Sequence, residues 1–148
     1  MQKKIPNSNP RILIIQNLYS KYVNKDNIIE FKKHRFKKFI KDVVNGTIER
    51  NELIEELITK HLKEDINLNR TDKILIVTLH ASIYEFLYKP QTSLNIIINE
   101  YLEAAKYFIE DNQKKFLNAL LDKIGKKIRF NNEWVPINQK VFCTTFIK

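Results

Sequence analysis

Residues 92–129, TSLNIIINEYLEAAKYFIEDNQKKFLNALLDKIGKKIR, decide the fold of this chain. Apolar residues recur here at spacings of three and four, which predicts two amphipathic helices. The polar run at residues 110–113 has no apolar period and is expected to form the turn between them. Thr92 or Ser93 is expected to cap the first helix, because a hydroxyl there can accept a hydrogen bond from a free backbone N–H. The two apolar stripes consist of Ile97, Ile98, Tyr101, Leu102, Ala105 and Phe108, and of Leu117, Leu120, Leu121, Ile124 and Ile128.

Phe116 lies at the edge of the second stripe, one turn before Leu120 and directly after Lys114 and Lys115. An aromatic residue in that position can complete the core. It can also present its ring to a flat ligand beside the two lysines. The apolar pattern alone favours the core and leaves both roles open.

The rest of the chain continues the helical pattern. Asn9 followed by Pro10 predicts the start of a helix that reaches Val23. A stripe that passes Gly46 and ends near residue 62 predicts one long helix or two nearly continuous ones, and a glycine on the packed side lets two helices approach closely. Residues 74–87 are apolar nearly all round and predict a central buried helix, capped by Thr71 or Asp72. We therefore predict an all-α, single-domain, compact bundle of about six to seven helices.

The charge of the chain is strongly positive in its first third. The net charge is +9. Residues 1–50 hold 12 Lys and Arg against 4 Asp and Glu, a balance of +8. This asymmetry suggests a polyanionic partner, and we favour nucleic acid over a membrane surface as that partner. The alternative is a solvated surface that only serves solubility.

Residues 30–41, EFKKHRFKKFIK, concentrate this charge and interleave it with phenylalanines. One interpretation is a second nucleic-acid patch. The other is an amphipathic helix with a solvated lysine face and its phenylalanines in the core. We favour the helix, because Phe36, Phe39, Ile40, Val43 and Val44 continue one regular stripe.

Motifs for chemistry are absent from the sequence. His34, His61 and His80 have no partner at metal-ligand spacing, and two glycines cannot form a phosphate-binding loop. The single cysteine, Cys143, excludes an internal disulfide and suits a reducing compartment. No apolar run is long enough to span a membrane. We expect a cytoplasmic protein that is not an enzyme and that uses no metal or cofactor.

The C-terminal half resembles the transcription antitermination NusB family. That family has an Ile-Asn/Asp-Glu opening, then Ala-Lys and an aromatic, then Lys-Phe-Val-Asn-Gly-Val-Leu-Asp. The chain matches with residues 98–100, Ala105-Lys106, Phe108 and residues 115–122, KFLNALLD. The resemblance extends upstream through Tyr84-Glu85 to residues 16–19 and covers residues 9–129. It implies a helical RNA-binding domain over that range, preceded by a flexible basic arm (residues 1–8) and followed by an extension of unknown structure (residues 130–148).

The resemblance also implies partners and a site. A NusB-like protein binds single-stranded boxA-type RNA together with the ribosomal protein NusE, joins the RNA polymerase elongation complex through them, and suppresses termination of ribosomal RNA transcription. Tyr19 and Leu75 match positions used towards NusE. A homodimer, or an RNA-binding accessory domain of an RNA methyltransferase, is the alternative. The RNA-binding positions would be Lys3, Lys4, Arg11, Gln16, Asn112, Lys115 and Phe116.

Overall fold

Six α-helices account for most of residues 4–130, the part of the chain that the computed structural model describes. No strand occurs among these residues, so the predicted all-α architecture is confirmed, with six helices. Lys3 and residues 131–148, and with them most of the predicted C-terminal extension, lie outside the described residues. In chain order the helices are α1 (Pro10–Val23), α2 (Lys37–Glu49), α3 (Asn51–Leu62), α4 (Lys73–Tyr88), α5 (Leu94–Ala105) and α6 (Asp111–Phe130).

Three helices begin at the side-chain caps that the sequence predicts. The Asn9 side chain accepts a hydrogen bond from the backbone N–H of residue 11 at 2.9 Å, with Pro10 at the first helical position. Asp72 accepts from the N–H of residue 74 at 2.9 Å, and Ser93 accepts from the N–H of residue 96 at 3.3 Å. Each cap satisfies a donor that has no partner inside its own helix. The starts of α1, α4 and α5 are thus set locally.

Helix α4 is the centre of the molecule and packs against all five other helices. Every residue from Leu75 to Leu87 is buried, which confirms the predicted central helix. Its buried hydroxyls bond to their own backbone: Thr78 donates to the carbonyl of residue 74 and Ser82 donates to that of Thr78, both at 2.7 Å. The buried carboxylate of Glu85 on this helix bonds instead to a different helix, through Arg11 of α1.

Helices α4 and α6 run parallel, and contacts at both ends fix their register. At the amino-terminal ends, the Gln113 amide lies 3.5 Å from the Asp72 carboxylate. At the carboxyl-terminal ends, the Arg129 guanidinium donates to the carbonyls of Glu85, Phe86, Lys89 and Thr92 at 2.8–3.3 Å. The carbonyls of Glu85 and Phe86 belong to the last turn of α4, and those of Lys89 and Thr92 follow it. Carbonyls at the end of a helix lack the full set of intrahelical N–H partners. Arg129 therefore closes the end of α4 with a charged donor.

Helices α2 and α3 are nearly continuous, as predicted, with only Arg50 between them. Gly46 lies where α2 meets the ring of Tyr84 on α4. A Cβ atom added at Gly46 would be 2.3 Å from the ring carbon Cζ. The glycine is needed for this close approach.

The prediction of a helix over residues 30–41 is wrong for its first half. Residues 27–34 are non-helical, residues 35 and 36 form a turn, and α2 begins only at Lys37. Phe36 is 43% exposed instead of buried, whereas Phe31 and Phe39 are half-buried against the core. The cause is a contact distant in sequence: the His34 ring lies 2.8 Å from the carbonyl of Asn7 and accepts the backbone N–H of Phe36 at 2.9 Å.

The turn between α5 and α6 lies four residues earlier than predicted. Helix α5 ends at Ala105 and α6 begins at Asp111. Phe108 is therefore in the turn, where it still packs against the core, and not in α5. The side chain of Gln113 accepts the backbone N–H of Glu110 at 2.9 Å, as in a capping box, and this starts α6 before the first apolar residue of its stripe.

Candidate nucleic-acid interface

Asn112, Lys115 and Phe116 share one exposed face near the start of α6, and we call this group the α6 face. Their spacing of three and four residues places them side by side on a helix. All three are exposed. Their orientation is fixed because the next residue, Leu117, is fully buried. The face therefore offers an amide, an ammonium group and an aromatic ring from a rigid support.

The ring of Phe116 is 39% exposed. The sequence left its role open between the core and a surface, and the structure places it at the surface. An exposed ring beside an exposed ammonium group can stack on an unstacked base while the ammonium group meets a phosphate.

Helix α1 contributes a second exposed group. Gln16 is exposed, and Tyr19, three residues further on, is 39% exposed on the same face. Lys4 is exposed in the segment before α1. The exposure of Lys4, Gln16 and Tyr19 agrees with a role in binding. The resemblance implies RNA as the ligand of Gln16 and NusE as the partner of Tyr19, yet these two residues share one face.

Arg11 is placed differently from the expectation that it faces RNA. Its guanidinium forms a bidentate ion pair with Glu85 of α4, whose side chain is fully buried. The rings of Phe39 and Tyr101 lie 5.1 Å and 5.4 Å from the guanidinium carbon. Burial alone would lower the pKa of Arg11, but the hydrogen bonds and charge of Glu85 outweigh it and raise the pKa. The donors of Arg11 are thus engaged inside the bundle.

The structure does not bring the α1 and α6 positions into one cluster. Among the described helices, α1 and α6 do not touch each other, and both pack on α4 and α5. Arg11 pairs at residue 85 of α4, whereas Gln113 pairs at residue 72. Thirteen residues of helix separate these levels, about 20 Å at 1.5 Å per residue. Arg11 therefore lies far from the start of α6, which is a second reason to separate it from the α6 face.

Leu75, matched to a partner-binding position, is only 5% exposed and packs in the core. The accessible residues at that end of α4 are Asp72 and Lys73. From the sequence alone, a leucine at the start of an apolar helix predicts a core residue, and Leu75 is one.

A further group of exposed side chains lies beside α1. Lys32, Lys33 and Lys37 line a groove of ≈ 430 Å³ beside Gln16 and Phe31. The signal was visible as a lysine-rich run with phenylalanines. The helical period of the phenylalanines favours a core role for them and gives the lysines no role beyond a solvated face.

Within residues 4–130, no three His, Cys, Asp or Glu side chains are grouped so that they could hold a metal ion. In the same range, no helix has the length and apolarity needed to cross a membrane. The exposed residues of α1, α6 and the segment before α2 offer cations, amides and aromatic rings.

Comparison with known proteins gives one consistent family. The sequence model of the NusB family matches residues 8–126. The transcription antitermination protein NusB of Caulobacter vibrioides is 30% identical over 141 residues, covering 84% of this chain and 95% of that protein. The protein of the same name from Sinorhizobium fredii is 29% identical over 136 residues, covering 80% and 85%. The solved structure of T. maritima NusB superposes with a TM-score of 0.70 at 24% identity, covering 94% of this chain and 99% of that one, and shows the same fold.

Proposed function

The chain belongs to the NusB family, and on that premise we propose that it is a transcription antitermination factor acting in the cytoplasm. In this proposal it binds single-stranded boxA-type RNA together with the ribosomal protein NusE and reaches the RNA polymerase elongation complex through them. The observation that carries the proposal is the family match over residues 8–126, which includes the exposed α6 face.

The proposed mechanism is binding and not catalysis. Lys115 meets a phosphate, and Phe116 stacks on a base that is already unstacked in a single strand. Asn112 and Gln16 offer amide donors and acceptors to base edges or to the ribose hydroxyl. Arg11 is given a structural role here, because Glu85 occupies its donors.

The NusE surface is proposed beside the RNA surface on α1. Tyr19 offers a half-exposed ring three residues from Gln16. At the start of α4 the contact would be made by Asp72 and Lys73, the exposed neighbours of the buried Leu75. Because Gln16 and Tyr19 share a face, the two ligands would lie next to each other, and each would extend the surface that the other binds.

Fluorescence anisotropy with labelled RNA tests this function. The probes are a boxA-type single strand, a scrambled strand of the same composition, and a DNA duplex, each titrated with and without NusE from the same source. We expect the boxA-type strand to bind best and NusE to tighten that binding. If about four phosphates are neutralised, log K should fall against log salt with a slope near −2.8. Equal affinity for the duplex, or no effect of NusE, would contradict the proposal.

A further inference from the structure

We infer that residues 31–41, here called the basic segment, form a second surface for single-stranded RNA that continues from Gln16. This inference rests on the proposed function in that the chain is taken to bind RNA. It adds a surface that is separate from the α6 face. In this inference, RNA that extends beyond the boxA-type sequence binds to the basic segment, which comprises the end of the α1–α2 connection and the first turn of α2.

The first observation is uncompensated charge. The basic segment contains six cations and no carboxylate. All six side chains are exposed: Lys32, Lys33, Arg35, Lys37, Lys38 and Lys41. None of them lies within 4.0 Å of a carboxylate in residues 4–130, whereas Lys106, Lys123 and Lys126 each pair with an acidic residue. Six unpaired cations on one short segment form a local positive field that attracts a polyanion.

The second observation is an aromatic ring among these cations. Phe36 is 43% exposed, and the Arg35 guanidinium carbon lies 5.3 Å from its ring centre. The His34 ring is 6.0 Å away and tilted by 42°. Exposed rings next to arginine and lysine are what a single strand uses for stacking and backbone contact. A duplex keeps its bases stacked on one another and gains nothing from the ring.

The third observation is that the segment is held in place. His34 accepts the backbone N–H of Phe36 through Nδ1, so Nε2 carries the proton and donates to the carbonyl of Asn7. The backbone N–H of Lys37 donates to the carbonyl of His34 at 3.2 Å. These bonds fix Phe36 at the amino-terminal start of α2 before any ligand arrives, which reduces the ordering cost of binding.

The fourth observation is continuity with the proposed RNA surface. The groove of ≈ 430 Å³ is lined by Gln16 and Asn17 of α1 and by Lys32, Lys33 and Lys37, which outnumber the single carboxylate in its lining, Glu30. A strand that contacts Gln16 therefore has a cationic groove open to it at once. An anionic membrane is a poorer fit, since membrane-surface binding uses a helix with a broad apolar face, and this segment is mostly non-helical with a single exposed ring.

The test compares two RNAs and three protein variants. The short RNA carries the boxA-type sequence alone, and the long RNA adds unstructured nucleotides on both sides. The segment variants are Lys32→Gln/Lys33→Gln/Lys37→Gln and Phe36→Ala. The control is Lys123→Gln/Lys126→Gln/Lys127→Gln, which removes the same charge from exposed positions on α6. Vesicles of phosphatidylserine and phosphatidylcholine serve as the membrane probe.

We expect the wild-type protein to bind the long RNA more tightly than the short one. The triple segment variant should lose that gain and flatten the salt slope by about 0.7 for each phosphate contact removed. Phe36→Ala should weaken long-RNA binding by about fivefold or more. Both variants should bind the short RNA like wild type, and the control should bind both RNAs like wild type.

Several outcomes would overturn the inference. One is an equal loss in the segment variant and the control, and another is an equal loss for short and long RNA. A third is segment-dependent vesicle binding with no effect on RNA. A failure of the proposed function looks different: the boxA-type strand would then have no advantage over its scrambled counterpart, while the length-dependent effect of the segment variants would persist.

Discussion

Arg11 and Glu85 are joined by a bidentate ion pair inside the helical bundle. Arg11 Nη2 lies 2.7 Å from one carboxylate oxygen and Nε lies 3.1 Å from the other. The Glu85 side chain is 0% exposed and that of Arg11 is 12% exposed. The residues are 74 positions apart in sequence, so the pair fixes α1 against the central helix α4. It places the one arginine of α1 in the framework and leaves the surface of α1 to Gln16 and Tyr19.

Replacing Arg11 by methionine should destabilise the protein strongly. The substitution leaves the Glu85 carboxylate buried without its partner, which costs about 3–5 kcal/mol. The double variant Arg11→Met/Glu85→Leu should be much less affected, because the uncompensated charge is gone. Urea denaturation of the single and double variants measures this. A single variant within about 1 kcal/mol of wild type would show that the pair is not essential to the fold.

Two glycine substitutions should have different effects. At Gly46 an added Cβ would lie 2.3 Å from the stiff ring of Tyr84, which also packs against Tyr88 at 5.0 Å between ring centres. At Gly125 the nearest atom, at 2.5 Å, is the terminal methyl group Cδ1 of Leu94, which can rotate away. Gly46→Ala should therefore destabilise by roughly 1–3 kcal/mol through overpacking. Gly125→Ala should be near neutral, because the gain in helix propensity of about 1 kcal/mol offsets the contact. Thermal unfolding of both variants compares them, and equal stabilities would contradict the close approach at Gly46.

His80 should make the stability of the protein sensitive to mild acid. Burial lowers its pKa to about 4, and its Nε2 atom has no hydrogen-bond partner among the described residues. Its pKa in the unfolded chain is the ordinary 6.5, so between these values the unfolded state takes up a proton that the folded state does not. The contribution of His80 should thus lower stability by about 3 kcal/mol as the pH drops from about 6.5 to about 4, and should not change further below that.

The variant His80→Leu isolates this effect, because all other groups titrate as in wild type. Chemical denaturation at neutral pH and near pH 4 should show a smaller loss in the variant. The same loss in both proteins would mean that His80 is not the group responsible.

The helices with strong local signals could be predicted from the sequence. Asn9, Asp72 and Ser93 start their helices through hydrogen bonds to residues two or three positions away. The start of each helix can therefore be recognised from the neighbouring sequence. The buried helix α4 is apolar on all sides, and its assignment needs no knowledge of its neighbours.

The segment before α2 could not be predicted, because its structure depends on distant contacts. Phe36 has a helical spacing to the core residues of α2, but His34 of this segment bonds to the carbonyl of Asn7, 27 residues away, and Phe31 packs against the core. The ion pair of Arg11 could not be predicted for the same reason, since its partner Glu85 is 74 residues away. Phe116 is the opposite case, because its place at the edge of a stripe was visible from spacing alone.

Phe116→Ala is the decisive substitution for the α6 face. A buried phenylalanine would cost about 3–5 kcal/mol of stability on truncation, through transfer and cavity terms. The Phe116 ring is 39% exposed and its neighbour Leu117 fills the core instead, so the cost in stability should be well below that range. Binding of the boxA-type strand should weaken by roughly 1–3 kcal/mol, because a stacking partner is lost.

Lys115→Ala separates the phosphate contact from stacking on the same face. It should leave the melting temperature unchanged and reduce the salt slope by about 0.7, the contribution of one phosphate on a single strand. Phe116→Ala should weaken binding at every salt concentration without changing that slope, since the ring carries no charge. Thermal unfolding and RNA titrations over a range of salt concentrations distinguish the two. A Phe116→Ala protein that melts far earlier, yet binds RNA normally when folded, would return this ring to the core and remove it from the RNA site.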